Sequence, residues 1–338
     1  MHKIPKSIVI CVFLYLVFSC DSRTHVDNYR IAFGSCAHQD SEFQMWANIE
    51  ASNPDLFVLL GDNIYGDTDD PEILKEKYSK QKSRIDYQSL ISKVQTIGTW
   101  DDHDFGRNDA GKEYPIKEES KDLMMEFLDI GDDNPIRTRE GVYQDYKFNA
   151  GNHEVSVILL DTRYFRDSLA IDTTGNGPYG QNVTGDILGE NQWQWLEKVL
   201  RNSTSDINII GSSIQVLSAE HGWEKWNNFP SARKRLFDLL EEVKPKNVIF
   251  ISGDRHIAEF SKLNLDRLDY PVYDFTSSGM TSTWGKARAE PNKHRVKEMM
   301  VSLNYGLINL RFTDDQINVS FEVMNENNEL VDSLGFTF

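Results

Sequence analysis

The chain has 338 residues, 39% hydrophobic and 26% charged, enough apolar material for a substantial core and too much for wholesale disorder. With 53 acidic against 36 basic side chains the net charge is −17, which repels nucleic acid and anionic membrane and disfavours stable nucleic-acid binding. An anionic ligand would need local positive charge, for which metal ions are the ready source.

Residues 1–19 read as a signal peptide. Lys3 and Lys6 form a basic start, Ser7 to Phe18 is apolar but too short to span a bilayer, and Val17-Phe18-Ser19-Cys20 resembles a bacterial lipobox. The expectation is export by the general route, there being no twin-arginine pair, with cleavage before Cys20 and a lipid on that cysteine. This would make the chain a membrane-anchored lipoprotein facing the periplasm or cell surface; an ordinary cleaved signal is the alternative. Cys11 would leave with the signal, so Cys36 has no disulfide partner and is either a buried inert thiol or a metal ligand.

Residues 20–28 are polar and read as a tether, and 29–338 as one domain. Arg30 to Phe33 is a strand ending at Gly34-Ser35-Cys36, Phe43 to Glu50 is helical, and Leu56 to Leu60 is a strand buried on both faces. Asp70-Pro71 opens a helix, Val94 to Thr99 is a strand, and Ser120 to Leu128 is a helix. A hairpin joins Val142–Phe148 to Val155–Leu160. Helices over Glu190–Leu200 and Ala232–Val243 alternate with short strands at Ile207–Ile210 and Val248–Ile251. Leu307–Phe312, Ile317–Val323 and Leu334–Phe338 form an antiparallel tail. The pattern predicts an α/β fold of two packed sheets flanked by helices.

Several strand ends finish in residues that bind metals. They are Cys36, Gly61-Asp62-Asn63-Ile64-Tyr65, Trp100-Asp101-Asp102-His103-Asp104 followed by Arg107-Asn108-Asp109, Asp161-Thr162-Arg163, and Ser252-Gly253-Asp254-Arg255-His256. Ligand sites in α/β sheets gather beyond the carboxyl ends of strands, so five such ends point to one shared site.

Together these motifs resemble the PhoD-like alkaline phosphatase family, over nearly the whole chain after the signal. The resemblance implies the metallophosphoesterase-like two-sheet β-sandwich flanked by helices, and a small phosphomonoester or phosphodiester substrate. It also implies iron(III) beside one or two calcium ions. Carried over by motif, Cys36, Asp62, Tyr65 and His256 would hold iron, and Asp62, Asn108 and Asp254 calcium. Thiolate and phenolate suit a trivalent ion; carboxylate and amide oxygens suit calcium. Many members carry a separate β-domain before Gly-Ser-Cys, where this chain has a short tether, which points to a more open cleft.

Blander readings stand beside these. Cys36 can be a small buried hydrophobe and Tyr65 a core ring. Of Asp101, Asp102 and Asp104, one or two are expected to cap turns or hold neighbouring donors. His103 is either a supporting residue or the general acid for the leaving oxygen. Arg163 and Arg107 either neutralise a phosphate or pair with nearby carboxylates. Gly151-Asn152-His153-Glu154 spells the Asn-His motif of ordinary metallophosphoesterases but falls in a hairpin turn. Trp193 belongs to a helical core face, whereas Gly222-Trp223-Glu224-Lys225-Trp226 and Ser277 to Thr281 are loops at the cleft. The expected reaction is ester hydrolysis by attack of a metal-bound hydroxide, with His103, Asp102 and Arg163 as catalytic residues. The alternative is a non-catalytic surface lipoprotein that binds a phosphorylated ligand through a retained metal site.

Overall fold

The computed structural model describes residues 27–338. The signal segment, Cys20 and most of the tether lie outside them; Asp27 and Asn28, read as the end of the tether, already belong to the first strand. In chain order the first elements are β1 (Asp27–Gly34), α1 (Trp46–Ala51), β2 (Leu56–Leu60), α2 (Pro71–Lys82), α3 (Ile85–Lys93), β3 (Gln95–Thr99), α4 (Asp102–Phe105) and α5 (Lys117–Phe127). There follow β4 (Gln144–Ala150), β5 (His153–Leu159), α6 (Gly189–Asn202), β6 (Ile207–Ser212), α7 (Pro230–Val243) and β7 (Val248–Ser252). The chain closes with β8 (Ala258–Leu263), β9 (Val272–Ser277), β10 (Tyr305–Phe312), β11 (Ile317–Met324) and β12 (Leu330–Thr337).

The strands form two six-stranded sheets, ordered β12-β11-β10-β1-β2-β3 and β4-β5-β6-β7-β9-β8. In each, parallel strands (β1-β2-β3; β5-β6-β7-β9) are flanked by antiparallel ones. Side chains alternate between two cores, as a two-residue period requires. Ile31, Phe33, Val58, Leu60, Val157, Leu159, Ile209 and Ile251 fill the space between the sheets. Phe57 and Leu59 face outward onto Trp46, Leu74, Tyr87 and Met124 from the helices of the first sheet. Ile158, Ile210 and Phe250 face onto Trp193, Leu196, Leu236 and Leu240 of α6 and α7. This is the expected helix–sheet–sheet–helix sandwich, and double coverage explains why β2 and β7 read as apolar runs.

Local chemistry sets the boundaries. Asp70 caps α2 by accepting the Glu72 N–H at 2.9 Å, with Pro71 as the first helical residue. Four elements, α3, α4, β8 and β9, escaped the sequence reading, two of them for clear reasons. Helix α3 buries only Tyr87 and Leu90 and leaves Ile85 exposed, so it has no apolar stripe to recognise. Strand β8 carries a buried carboxylate, Glu259, matched from a distant segment by Arg295 at 2.6 Å. Among the described residues, no helix is long and apolar enough to cross a membrane.

The sheet–sheet core predicts a sharp positional contrast. Ile209→Ala, fully buried between the sheets, should cost about 2–5 kcal/mol in urea unfolding. Leu330→Ala on the exposed edge strand should change it by less than about 0.5 kcal/mol.

Candidate metal centre

Cys36, Asp62, Asp101, Asp161 and Asp254 each sit second after a strand, following β1, β2, β3, β5 and β7. The two sheets are pinned together there by polar contacts between the ends of β3 and β5. Thr99 Oγ1 donates to Leu160 O at 3.0 Å, and Trp100 Nε1 to Asp161 Oδ1 at 2.8 Å. Arg163 Nε donates to Asp101 Oδ1 at 2.6 Å. Asp161 also accepts the Val142, Arg163 and Tyr164 N–H groups, each at 2.9 Å, so it organises backbone and is not free to bind a ligand.

Donor atoms converge beside this seam in three overlapping groups, each with its atoms within 4.8 Å of one another. They are Cys36–Asp62–His256, Asp62–Asp102–His103 and Asp101–Asp102–Asp254. The Cys36 thiol donates to Asp62 Oδ2 at 3.4 Å, and Tyr65 OH lies 3.1 Å from His256 Nε2. The Tyr65 ring is sandwiched by His38 and His103, at centroid distances of 4.6 and 4.2 Å. Of these donors Asp62, Asp102, His103, Asp254 and His256 line a cavity of about 400 Å³, walled also by Asn108, Glu224, Arg255, Trp223 and Trp284.

Four of the converging residues hold left-handed backbone: Cys36 (φ 64°), Asp62 (φ 51°), Asp254 (φ 69°) and His256 (φ 54°). Such conformations disfavour a Cβ and persist only where surroundings impose them. Asp104 does much of the imposing. Its carboxylate accepts the N–H groups of Asp62, Asn63 and Asp101 at 3.0, 3.2 and 2.6 Å. Asp104 therefore organises the loop, as one member of the acidic run was expected to do.

The electrostatics call for a cation. Burial, and then Asp102, push the Asp62 carboxyl well above its ordinary range; burial, and then Asp101, do the same to Asp254. Burial followed by Asp62 raises the Cys36 thiol. Burial lowers His256 to about 4, leaving a neutral imidazole ready to ligate. Burial opposes a charge on His103, but Asp62, Asp102 and Asp67 outweigh it and push its pKa up to about 11. Asp102 Oδ1 is buried without a hydrogen-bond partner. Clustered anionic donors and an orphaned carboxylate oxygen are what a multivalent cation would satisfy. The residues present therefore fit a metal, with sulfur, phenol and imidazole on one side and carboxylate and amide oxygens on the other.

The predicted residues divide clearly. Cys36, Asp62, Tyr65, Asp254 and His256 come together, and Asn108 lines the same cavity. Asp102, expected as a catalytic residue, belongs to two of the donor groups and is placed as a ligand candidate. Arg163 is a correction. It is fully buried, does not line the cavity and is committed to Asp101 and to Glu224, the latter at 2.6 Å, so the structural pair prevails over the phosphate contact. Arg107 is exposed and paired with Asp69. Arg255 is the arginine that faces the cavity, ion-paired with Glu290 at 2.7 Å. Its only signal in sequence is its position between two ligand candidates. His153 is the first residue of β5, just after the Gly151-Asn152 turn, at the opposite strand end from Asp161, and is stacked on Phe312 at 4.6 Å. Trp226 is core, whereas Trp223 lines the cavity. Nothing in sequence separates Glu224 from the rest of its loop, because only tertiary packing brings it to Arg163.

Comparison with known proteins gives one family. The sequence profile described as PhoD-like phosphatase matches residues 31–321. Alkaline phosphatase D of Bacillus subtilis (strain 168) is 24% identical over 282 residues, covering 72% of this chain and 48% of that protein. The chain thus spans about half the length of the curated relative it matches. The solved structure of PhoD superposes with a TM-score of 0.73 at 20% identity, covering 92% of this chain and 68% of that one, which shows a shared fold.

The buried ion network makes a testable claim of its own. Arg163→Ala strands the Asp101 and Glu224 carboxylates and should cost about 3–5 kcal/mol in thermal or urea unfolding. His153→Ala should leave metal content, measured by elemental analysis, at the wild-type level, because the turn is remote from the donors.

Proposed function

The chain belongs to the PhoD-like phosphatase family, and from that premise we propose that it is an exported, metal-dependent hydrolase of phosphoric esters. The observation that carries this reading is the overlap of the three donor groups through Asp62 and Asp102, with both shared residues open to one cavity. In this reading Cys36, Asp62, Tyr65 and His256 hold iron(III), and Asp62, Asn108 and Asp254 hold calcium, with Asp102 as a further oxygen donor. Bound metal supplies the positive charge that draws phosphate oxygens in and polarises phosphorus.

The chain's own groups do the rest. His103 Nδ1 lies 2.8 Å from Asp67 Oδ1, which fixes the ring and leaves Nε2 for the cavity. Nε2 gives its proton to the ester oxygen as the bond to phosphorus breaks; water adds to phosphorus and loses a proton to solvent, from which the ring is reprotonated. Arg255 meets charge on the phosphate oxygens that face away from the donors. Export and a lipid on Cys20 are part of the proposal. They are supported by the signal-like sequence of residues 1–20.

The test uses the chain from Cys20 onward with Cys20→Ser, assayed at alkaline pH on p-nitrophenyl phosphate and bis-p-nitrophenyl phosphate. Turnover is expected on at least one ester and should be lost with chelator. Cys36→Ala and Asp62→Ala should each lower kcat by about 100-fold or more, scaled from the losses typical even of supporting residues around metals. Full activity in either variant sinks the metal reading, and no turnover in metal-loaded protein favours the binding lipoprotein. His103→Asn should lower kcat on alkyl phosphates by about 10²–10⁴-fold, and less on p-nitrophenyl phosphate, whose leaving oxygen needs no proton. Equal losses on both would remove His103 as the acid.

A further inference from the structure

Two tryptophans stand apart from the other five. Trp46, Trp100, Trp193 and Trp226 are fully buried and Trp195 packs partly against the core, whereas Trp223 and Trp284 are each 38% exposed and line the cavity wall. Their rings meet edge to face at 76°, with centroids 5.8 Å apart. They come from separate segments, so the corner they make exists only in the folded chain. Exposed indole surface facing a polar, acidic cavity has no packing role to explain it.

The backbone beneath each ring is fixed to the donor site or to a buried network. Trp284 N donates to His256 O at 2.9 Å, and the neighbouring Ser282 Oγ lies 2.7 Å from His256 Nδ1. The first ring is thus hung directly on a metal-ligand candidate. Trp223 N donates to Nδ1 of buried His221 at 3.3 Å, and the His221 Nε2 lies 3.0 Å from Gln215 Oε1. Lys225 Nζ, itself buried, donates to Trp223 O at 2.9 Å. Arg255 packs its guanidinium 5.6 Å over the Trp223 ring while its Glu290 partner holds it in place. Two rings with wet surfaces on anchored backbones make a preorganised platform at a set distance from the donors.

We propose that Trp223 and Trp284 form a subsite for the organic portion of the ester, selecting substrates whose alcohol carries a flat ring, such as an aryl group or a nucleobase. This rests on the phosphoesterase reading. The cavity of about 400 Å³ lies within the range that holds ligands far larger than a phosphate group, so a ring fits beside the donors. Stacking on indole is indifferent to ring substituents, so the subsite discriminates ring from no ring and not one base from another. Arg255, against Trp223 and next to Asp254 and His256 in sequence, is positioned to bridge the phosphate and the ring.

The test compares metal-loaded wild type, Trp223→Ala, Trp284→Ala and Trp284→Phe on adenosine 5′-monophosphate, p-nitrophenyl phosphate and glycerol 3-phosphate. Each alanine variant should lower the kcat/KM ratio of ring ester to glycerol ester by about tenfold, through KM, and Trp284→Phe should restore most of it. A ratio unchanged within twofold in both alanine variants overturns the subsite. A parallel arm follows tryptophan fluorescence as the same proteins are titrated with adenosine 5′-monophosphate or glycerol 3-phosphate. Quenching by the nucleotide alone, lost in the alanine variants, upholds the subsite, and equal or absent quenching overturns it. If wild type hydrolyses none of these three monoesters and bis-p-nitrophenyl phosphate is also left intact, the phosphoesterase reading fails while the fluorescence arm still decides the subsite.

Discussion

The site depends on holding two separate sheets in one alignment at their carboxyl ends. Hydrophobic packing between the sheets is strong but non-directional, and by itself would tolerate sliding. The contacts from Thr99 and Trp100 to the end of β5, and from Arg163 back to Asp101, are directional and buried. They bring donors from the first sheet, Cys36, Asp62 and Asp102, against Asp254 and His256 from the second. A buried arginine–carboxylate network of this kind is weak evidence for net stability. Its value here is geometric, since it sets the spacing at which a cation could be shared.

That alignment is costly, and the costs are concentrated where the donors meet. Four residues adopt left-handed backbone, and several carboxyl groups lie buried within reach of one another. Each strained residue costs on the order of 1–3 kcal/mol, and burial of like charges adds to it. The three apolar layers around and between the sheets offset this, with the rigid loop held by Asp104. Strain of this sort is found where a site is preorganised for a ligand it does not itself supply.

Charge is divided by depth. Arg163 and Arg166 are buried against Asp101 and Glu224 and serve the scaffold. Arg255 sits one layer nearer the cavity, and the rings of Trp223 and Trp284 complete the wall beyond it. An acidic chain can thereby present a mixed, partly aromatic cavity without a basic surface patch.

Much of this was legible in residues taken alone. Unbroken apolar runs announced buried parallel strands, Asp70-Pro71 announced a helix start, and metal-type residues after β1, β2, β3 and β7 announced a common site, because each signal depends on neighbours in sequence; the fifth strand end, at Asp161, holds backbone instead. The hairpin setting of Gly151-Asn152-His153-Glu154 is equally local, with Gly151-Asn152 as the turn and His153-Glu154 already in β5. What sequence left open was settled by contacts between distant segments. Arg163 and Arg255 look alike in the chain, and only burial behind Asp101 and Glu224 distinguishes a scaffold cation from a cavity one. Asp102 became a ligand candidate, and Asp104 a loop organiser, because the two lie two apart on α4 and so do not share a face. Strand β8 stayed hidden because its buried Glu259 is neutralised by Arg295 from another segment. Local propensity fixes which elements form and where they end; the fate of each buried charge depends on its partner, and the partner comes from elsewhere in the fold.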